Sequence, residues 1–300
     1  MVLYIFFKKA RRRLTPNLIY MINLCVSDLL FIMVLPIKII ETFLSAWTLP
    51  AILCPLFNFF HFSTIYASAC FLTAVSVGRY LSAAFPIKYK IYKKPKYSFI
   101  ICITLWAIVI FHVAFVFLIE TTQHGSLEFF LRHHDSKMTC YGNFTAAQLN
   151  LIVPVRLEMS VVLFFLPLSL TTFCYVSCIR IFMRSYMHVK HKKRAIRVAI
   201  TTLTIFIVCF GPYNISHVVG YINHESVSWR DEALLTSTCN AFLDPLIFYF
   251  LSYPMDQGFY QLWKTLKFKY SISKRKLSSV FMKVPRDDSK VGIRTISATV

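Results

Sequence analysis

Apolar residues run through this chain in long unbroken stretches, neither alternating as in a half-buried strand nor confined to one stripe as on a surface helix. Six stretches, near 18–44, 53–83, 97–119, 151–183, 195–222 and 231–252, each reach the about 20 residues that a helix needs to cross a hydrocarbon core of about 30 Å. Backbone facing lipid must satisfy its own hydrogen bonds, so the pattern predicts a bundle of membrane-spanning helices. Met1 to Phe7 is a shorter apolar piece that would cover about 10 Å as a helix. It cannot span, and it lacks room for the three regions of a signal peptide; it reads as the cytoplasmic end of a helix whose beginning is absent. Beyond the last stretch, Phe259, Leu262, Trp263 and Leu266 recur at three and four residues while Lys264, Lys267 and Lys269 face elsewhere. This predicts an amphipathic helix over 254–270 lying on the inner leaflet, separated from the last span by Pro254, Asp256 and Gly258. The bundle domain thus occupies 1–253, and the polar segment 271–300 is expected to be a disordered cytoplasmic tail open to phosphorylation.

Charge gives the orientation. Lys8, Lys9, Arg11, Arg12 and Arg13 precede the first full span; Lys88, Lys90, Lys93, Lys94 and Lys96 fill one connection; Arg184, Lys190, Lys192, Lys193, Arg194 and Arg197 fill another. Clustered Lys and Arg beside spans stay cytoplasmic, so the formal charge of +20 describes a cytoplasmic face that meets anionic membrane lipid and a soluble partner. A nucleic-acid-binding groove would need a soluble domain to carry it and is excluded. With 57% hydrophobic and 15% charged residues, the composition is that of a membrane protein.

Seven of the nine cysteines, Cys25, Cys70, Cys102, Cys174, Cys178, Cys209 and Cys239, fall inside spans, where a buried small hydrophobe is the ordinary role. Cys54, at the outer mouth of the second span, and Cys140, in the long outer connection, face an oxidising compartment and are expected to pair. Asn143, Phe144 and Thr145 form a glycosylation sequon on the same loop. The match at Asn214 to Ser216 lies within a span and is read as chance.

Polar residues inside spans are costly and mark function by default. Asp28, Ser68, Asn240 and Asp244 are such residues, and two readings stand side by side: an interhelical hydrogen-bond network that holds the bundle together, or a sodium site built from hard oxygen ligands. No nucleophile arrangement, metal cluster or phosphate loop argues for an enzyme.

Together, Asn23 through Asp28, Gly78-Arg79-Tyr80 at the inner end of a span starting with Cys54, Trp106, Pro167 with Tyr175, Cys209-Phe210-Gly211-Pro212 and Asp244 through Phe248 resemble the signatures of rhodopsin-like G-protein-coupled receptors. Leu151 to Phe165 and Cys209 to Tyr221 are similar to the free fatty acid receptors, most of all the short-chain types 2 and 3. The resemblance runs from about Leu18 to Tyr253. It implies a seven-helix receptor at the plasma membrane, with only the inner end of the first helix present, that responds to a small carboxylate and activates heterotrimeric G proteins of the Gi/o and Gq classes, with arrestin as a further partner. It implies no cofactor other than sodium as a modulator.

The same resemblance implies a carboxylate held by Arg156 and Arg230 with His112, His217, Tyr213 and Phe62 around it. The chemistry is sound, because a guanidinium forks onto a carboxylate with two parallel hydrogen bonds. Tyr213 and His217, four apart, share a helical face. Glu158 lies about 200° round the helix from Arg156, so a counterion for that arginine must come from elsewhere, whereas Lys38 and Glu41 are spaced to pair with each other. The activation set would be Gly78, Arg79, Tyr80, Tyr175, Phe210, Pro212 and Phe248, with Pro212 supplying a bend. Gly78 replaces the acidic residue that usually precedes the arginine, and no acid stands between His191 and Arg197 to substitute, which predicts an unrestrained Arg79. Gly142 and Phe62 stand where some relatives carry an acid and a tyrosine, leaving fewer polar partners for the two arginines. Two other readings use the same residues. An organic-anion transporter or channel would also need intramembrane arginines, but the chain lacks internal repeats and matching broken helices. A truncated, non-signalling fragment would explain the incomplete first helix.

Overall fold

A computed structural model of the chain describes residues 4, 6–7, 10–11, 14–44, 47–50, 53–92, 94–124, 131–134, 137–140, 146–185, 189–225 and 227–244. Its helices are α1 (Pro16–Leu44), α2 (Leu53–Ala84), α3 (Pro86–Tyr92), α4 (Pro95–His124), α5 (Ala146–Ser160), α6 (Leu166–Arg184), α7 (Val189–Ile205), α8 (Gly211–Asn223) and α9 (Arg230–Thr238). Wide π-helical turns at Val161–Phe165 and Phe206–Phe210 join α5 to α6 and α7 to α8 as two long bent rods. Among the described residues five stretches are long and apolar enough to cross a membrane: Pro16–Glu41, Leu53–Ala84, Pro95–Leu118, Ile152–Arg184 and Lys192–Asn223. They coincide with five of the six expected spans. The sixth enters as α9 and is helical again at 240–244; its remainder with Phe248, the amphipathic segment 254–270, the tail 271–300 and Asn143 lie outside the described residues.

α2 is the axis of the bundle. Its apolar window is 83% buried, against 22% for α4, which lies at the periphery. The reason is in its sequence: Ser63, Thr64, Ala67, Ser68 and Ala69 are small, so neighbouring backbones can approach closely and a serine of α1 can bond across to this helix. Ser27 Oγ of α1 donates to the Thr64 carbonyl at 2.8 Å and lies 2.9 Å from Ser68 Oγ. Thr171 Oγ1 of α6 reaches Thr73 Oγ1 at 3.0 Å. Asn23 ties α1 to α4, accepting from Trp106 Nε1 at 3.2 Å and donating to Cys102 Sγ at 3.3 Å.

Both π turns have a proline cause. Pro167 and Pro212 sit at the starts of α6 and α8, have no N–H to donate, and push their rings at the carbonyl four residues back; the preceding turn therefore opens. Thr236 Oγ1 of α9 donates to the Cys209 carbonyl at 3.1 Å, and Asn214 Nδ2 donates to the Phe210 carbonyl at 2.8 Å. The two wide turns meet, with Phe164 against Phe206 at 5.8 Å between ring centroids. Asn214 is 1% exposed, which agrees with reading its sequon match as chance.

The sequence does not foresee a hairpin. β1 (Leu131–His134) and β2 (Lys137–Cys140) pair antiparallel, with Leu131 opposite Cys140 and His134 opposite Lys137. It lies at one end of the bundle, called here the disulfide end, because Cys140 is bonded to Cys54. The opposite end carries the lysine- and arginine-rich connections.

Candidate functional site

Toward the disulfide end, α2, α4, α5 and α8 form a cleft lined by the polar Arg156, His217 and Tyr213 together with Phe62, Tyr66, Val113, Val116, Phe117 and Met159. Each polar member arrives from a helix that has already turned that face inward. Arg156 and Met159 are three apart on α5, and Tyr213 and His217 are four apart on α8. Arg156, Tyr213 and His217 are all buried. The Phe62 ring stacks on Tyr213 at 6.0 Å, and Tyr213 meets the His217 ring edge-on at 4.4 Å. The free space in the middle is about 20 Å³, room for about one water molecule. A buried guanidinium beside an imidazole and a phenol, walled by apolar side chains, has the chemistry to receive a small organic anion.

Arg230 and His112 stand differently. Arg230, at the first turn of α9, is buried, within electrostatic range of His217, and 3.8 Å from Asp231; it is beside the cleft and not in its lining. His112 points away from it. Its Nδ1 lies 2.8 Å from the Ile108 carbonyl and its Nε2 3.3 Å from Glu158 Oε1, which leaves it outside the lining of the cleft in this structure. The rotation of α4 that turns Val113 and Val116 inward carries His112 round to face α5. Tyr66 and Met159 line the cleft without having been singled out from sequence, although their spacing from Phe62 and Arg156 places them on the same helical faces.

The disulfide bond Cys54–Cys140 is present, with 5.8 Å between Cα atoms. Asn58 Nδ2 donates to Cys140 Sγ at 3.3 Å. Lys38 and Glu41 pair at 2.9 Å, and the other oxygen of Glu41 accepts the Cys140 N–H at 3.1 Å. The hairpin is therefore fastened to α1 as well as to α2. Of the seven remaining cysteines, six are buried and Cys239 is exposed.

Midway along the bundle, Asp28 and Asp244 meet, with Ser68 beside the first and Asn240 beside the second. All four are buried, and Asp28 Oδ1, Asn240 Oδ1 and both carboxylate oxygens of Asp244 accept no hydrogen bond from a described residue. Two adjacent buried carboxylates with a hydroxyl and an amide beside them gather the hard oxygen ligands that a monovalent cation would take.

At the basic end, Arg79 makes no ion pair among the described residues; Tyr175 and Arg194 lie within its electrostatic range. Tyr175 is fully enclosed, and Tyr80 rests edge-on against Phe173 at 5.6 Å. Phe210 is buried on Phe206 at 5.4 Å, within the bend before Pro212. Gly78 has a packing role beyond the missing acid, for a Cβ there would stand 2.5 Å from Asn17 Oδ1 of α1. A larger cavity of about 480 Å³ opens here among α1, α2 and α4, past Tyr20, Gly78, Tyr89 and Ser98. Among the described residues its lining has no cationic side chain to clamp a carboxylate.

The sequence pattern of the 7 transmembrane receptor (rhodopsin family) matches residues 1–248. The chain is 41% identical to free fatty acid receptor 3 of Mus musculus over 263 residues, covering 87% of this chain and 81% of that one. It is 40% identical to free fatty acid receptor 2 of Rattus norvegicus over 239 residues, 78% of this chain and 70% of that one. It is also 40% identical to free fatty acid receptor 1 of Macaca fascicularis over 245 residues, covering 79% and 81%.

Proposed function

The chain belongs to the rhodopsin family of seven-transmembrane receptors, within its free fatty acid receptor branch, and from that premise we propose that it is a receptor for short-chain fatty acids or similar small carboxylates. The family is one of receptors and not of enzymes. The observation that carries the ligand class is the buried Arg156 guanidinium lining an otherwise apolar cleft with His217 and Tyr213. Arg156 holds the carboxylate by its fork, His217 and Tyr213 complete the polar rim, and Phe62, Tyr66 and Met159 meet the short tail. Arg230, next to His217, closes over the second carboxylate oxygen.

At about 20 Å³ the cleft is smaller than even a two-carbon acid, so binding requires α5, α8 and α2 to part. A ligand bridging Arg156 on α5 and Arg230 on α9 favours the arrangement in which both reach it, and the equilibrium shifts by that difference in affinity. The two wide turns at Phe164 and Phe206 are where the long rods bend. Their movement opens the basic end around Arg79, Tyr80 and Tyr175 to a heterotrimeric G protein of the Gi/o or Gq class, and afterwards to arrestin. In this reading the protein lies in the plasma membrane. The hairpin, with Cys54, Cys140 and the sequon at Asn143, faces outward; the basic loops and the tail are cytoplasmic against anionic lipid. Asp28, Ser68, Asn240 and Asp244 hold sodium, whose charge offsets the adjacent carboxylates and favours the resting arrangement.

The test is signalling by cells expressing the chain in response to acetate, propionate and butyrate, compared with the matching amides. Saturable responses to the acids, lost in Arg156→Ala, are expected. Equal potency of propionamide and propionate would remove the carboxylate clamp.

A further inference from the structure

We propose that His112 and Glu158 are positioning residues: a proton held between them clasps α4 to α5 and fixes Arg156 in place, so that the response to carboxylates depends on pH. The inference rests on the carboxylate reading above. Its basis is a count of hydrogens. The Ile108 carbonyl, 2.8 Å from His112 Nδ1, can only accept, so Nδ1 carries a hydrogen. On the other side of the ring, Nε2 and Glu158 Oε1 approach to 3.3 Å. Without a second proton, a nitrogen lone pair would face a carboxylate. The pair is therefore held together when that proton is present, on the ring or on the carboxyl group, and repels when it leaves for the aqueous phase.

Three features make this contact consequential. α4 is the least buried of the spans found among the described residues and packs chiefly on α2 and α1, and the pair is a polar tie between α4 and α5. Glu158 is about half exposed on the outer surface of the bundle, where an uncompensated carboxylate is costly in lipid. The residues that follow each partner, Val113 and Met159, both line the cleft, and Arg156 lies two positions before Glu158 on the same helix. The clasp is thus the back of the cleft wall. Other charged or titratable groups are directed elsewhere. Arg156 of α5 faces the cleft, as does Tyr66 of α2, while His61 of α2 is enclosed by the rings of Phe31, Phe57 and Phe62. α1 bonds α4 at Cys102 and Trp106, nearer the basic end. On α4 itself Phe111 rests edge-on against the His112 ring at 5.9 Å.

The sign follows directly: a contact present in the protonated form and lost in the deprotonated form stabilises less as pH rises. Two measurements on the full chain separate the clasp from the ligand reading. The first is potency of propionate, dosed as the ionised acid, from about pH 6 to about pH 8. Wild type is expected to lose about fivefold in potency toward the upper end. Glu158→Gln, whose amide can donate to the neutral ring, is expected to be flat at the high-potency level, and His112→Asn flat at the low one. The second is the thermal midpoint of the ligand-free receptor in lipid nanodiscs over the same range, expected to fall by about 2 to 4 °C in wild type and to hold steady in Glu158→Gln. Should either variant fail to reach the surface, the exchange His112→Glu with Glu158→His is expected to restore the slope. Wild type and Glu158→Gln sharing one pH profile in both measurements would overturn the clasp. A pH-sensitive midpoint that Glu158→Gln abolishes, without any carboxylate response, would uphold the clasp and overturn the ligand reading instead.

Discussion

Replacing Arg156 or Arg230 by alanine is expected to abolish responses to short carboxylates, because each removes a buried charged contact of about 2 to 5 kcal/mol. Arg156→Lys is expected to recover little, since an ammonium cannot reproduce the fork; concentration–response curves at matched surface expression check all three. Gly78 carries a different prediction. With no acid beside Arg79, ligand-free signalling is expected to be high. Restoring a carboxylate should lower the active-to-resting ratio by about 5- to 150-fold. A plain Gly78→Glu change is a poor test, because its Cβ would meet Asn17 Oδ1 at 2.5 Å. The change belongs in an Asn17→Ala background, with Asn17→Ala alone as its control. Basal activity that stays equally high in both would mean that contacts other than an ion pair at Arg79 set the resting state.

The wide turn before Pro212 depends on side chains of another element for its carbonyls. Thr236→Val removes the donor to the Cys209 carbonyl and is expected to cost about 1 kcal/mol, read as a lower thermal midpoint in detergent. Pro212→Ala should let the ladder close into regular α-helix and lower maximal agonist response while leaving the midpoint unchanged or raised. These turns were beyond the sequence's reach: a proline announces one lost hydrogen bond, but not whether the backbone tightens or widens around it. The spans themselves were legible, since length and apolarity suffice. The hairpin was not, because Leu131, Arg132, His133 and His134 show no alternation and the tether at Cys140 orders them. At the site, the resemblance pointed to Arg156, Tyr213 and His217, whereas nothing in the sequence singled out Tyr66 and Met159. The contact of His112 with Glu158 was not legible, because periodicity gives the angle between side chains on one helix, not the neighbour that the helix turns toward.

Over the whole molecule, orientation rests on charge at one end and on the disulfide and sequon at the other. Asn143→Gln is expected to increase the gel mobility of protein made in mammalian cells, as loss of one glycan requires; unaltered mobility would count against an outward-facing hairpin. Reduction or Cys54→Ser should remove the covalent tie between the hairpin and α2 and leave only non-covalent contacts such as those of Glu41 and Asn58 with Cys140, and a fall in surface expression is the expected reading. The closed cleft has a kinetic consequence as well. With free space of only about 20 Å³ in the cleft, the proposed binding goes with a parting of the helices, and in that reading the parting step precedes capture. Stopped-flow traces of propionate binding should then show an observed rate that levels off at high concentration instead of rising linearly, the plateau being the opening rate itself. Equilibrium affinity should be weaker than the affinity of the open form by the fraction of molecules open at any moment. A substitution that props the cleft apart, such as Met159→Ala, would raise the plateau before it changed any contact with the carboxylate.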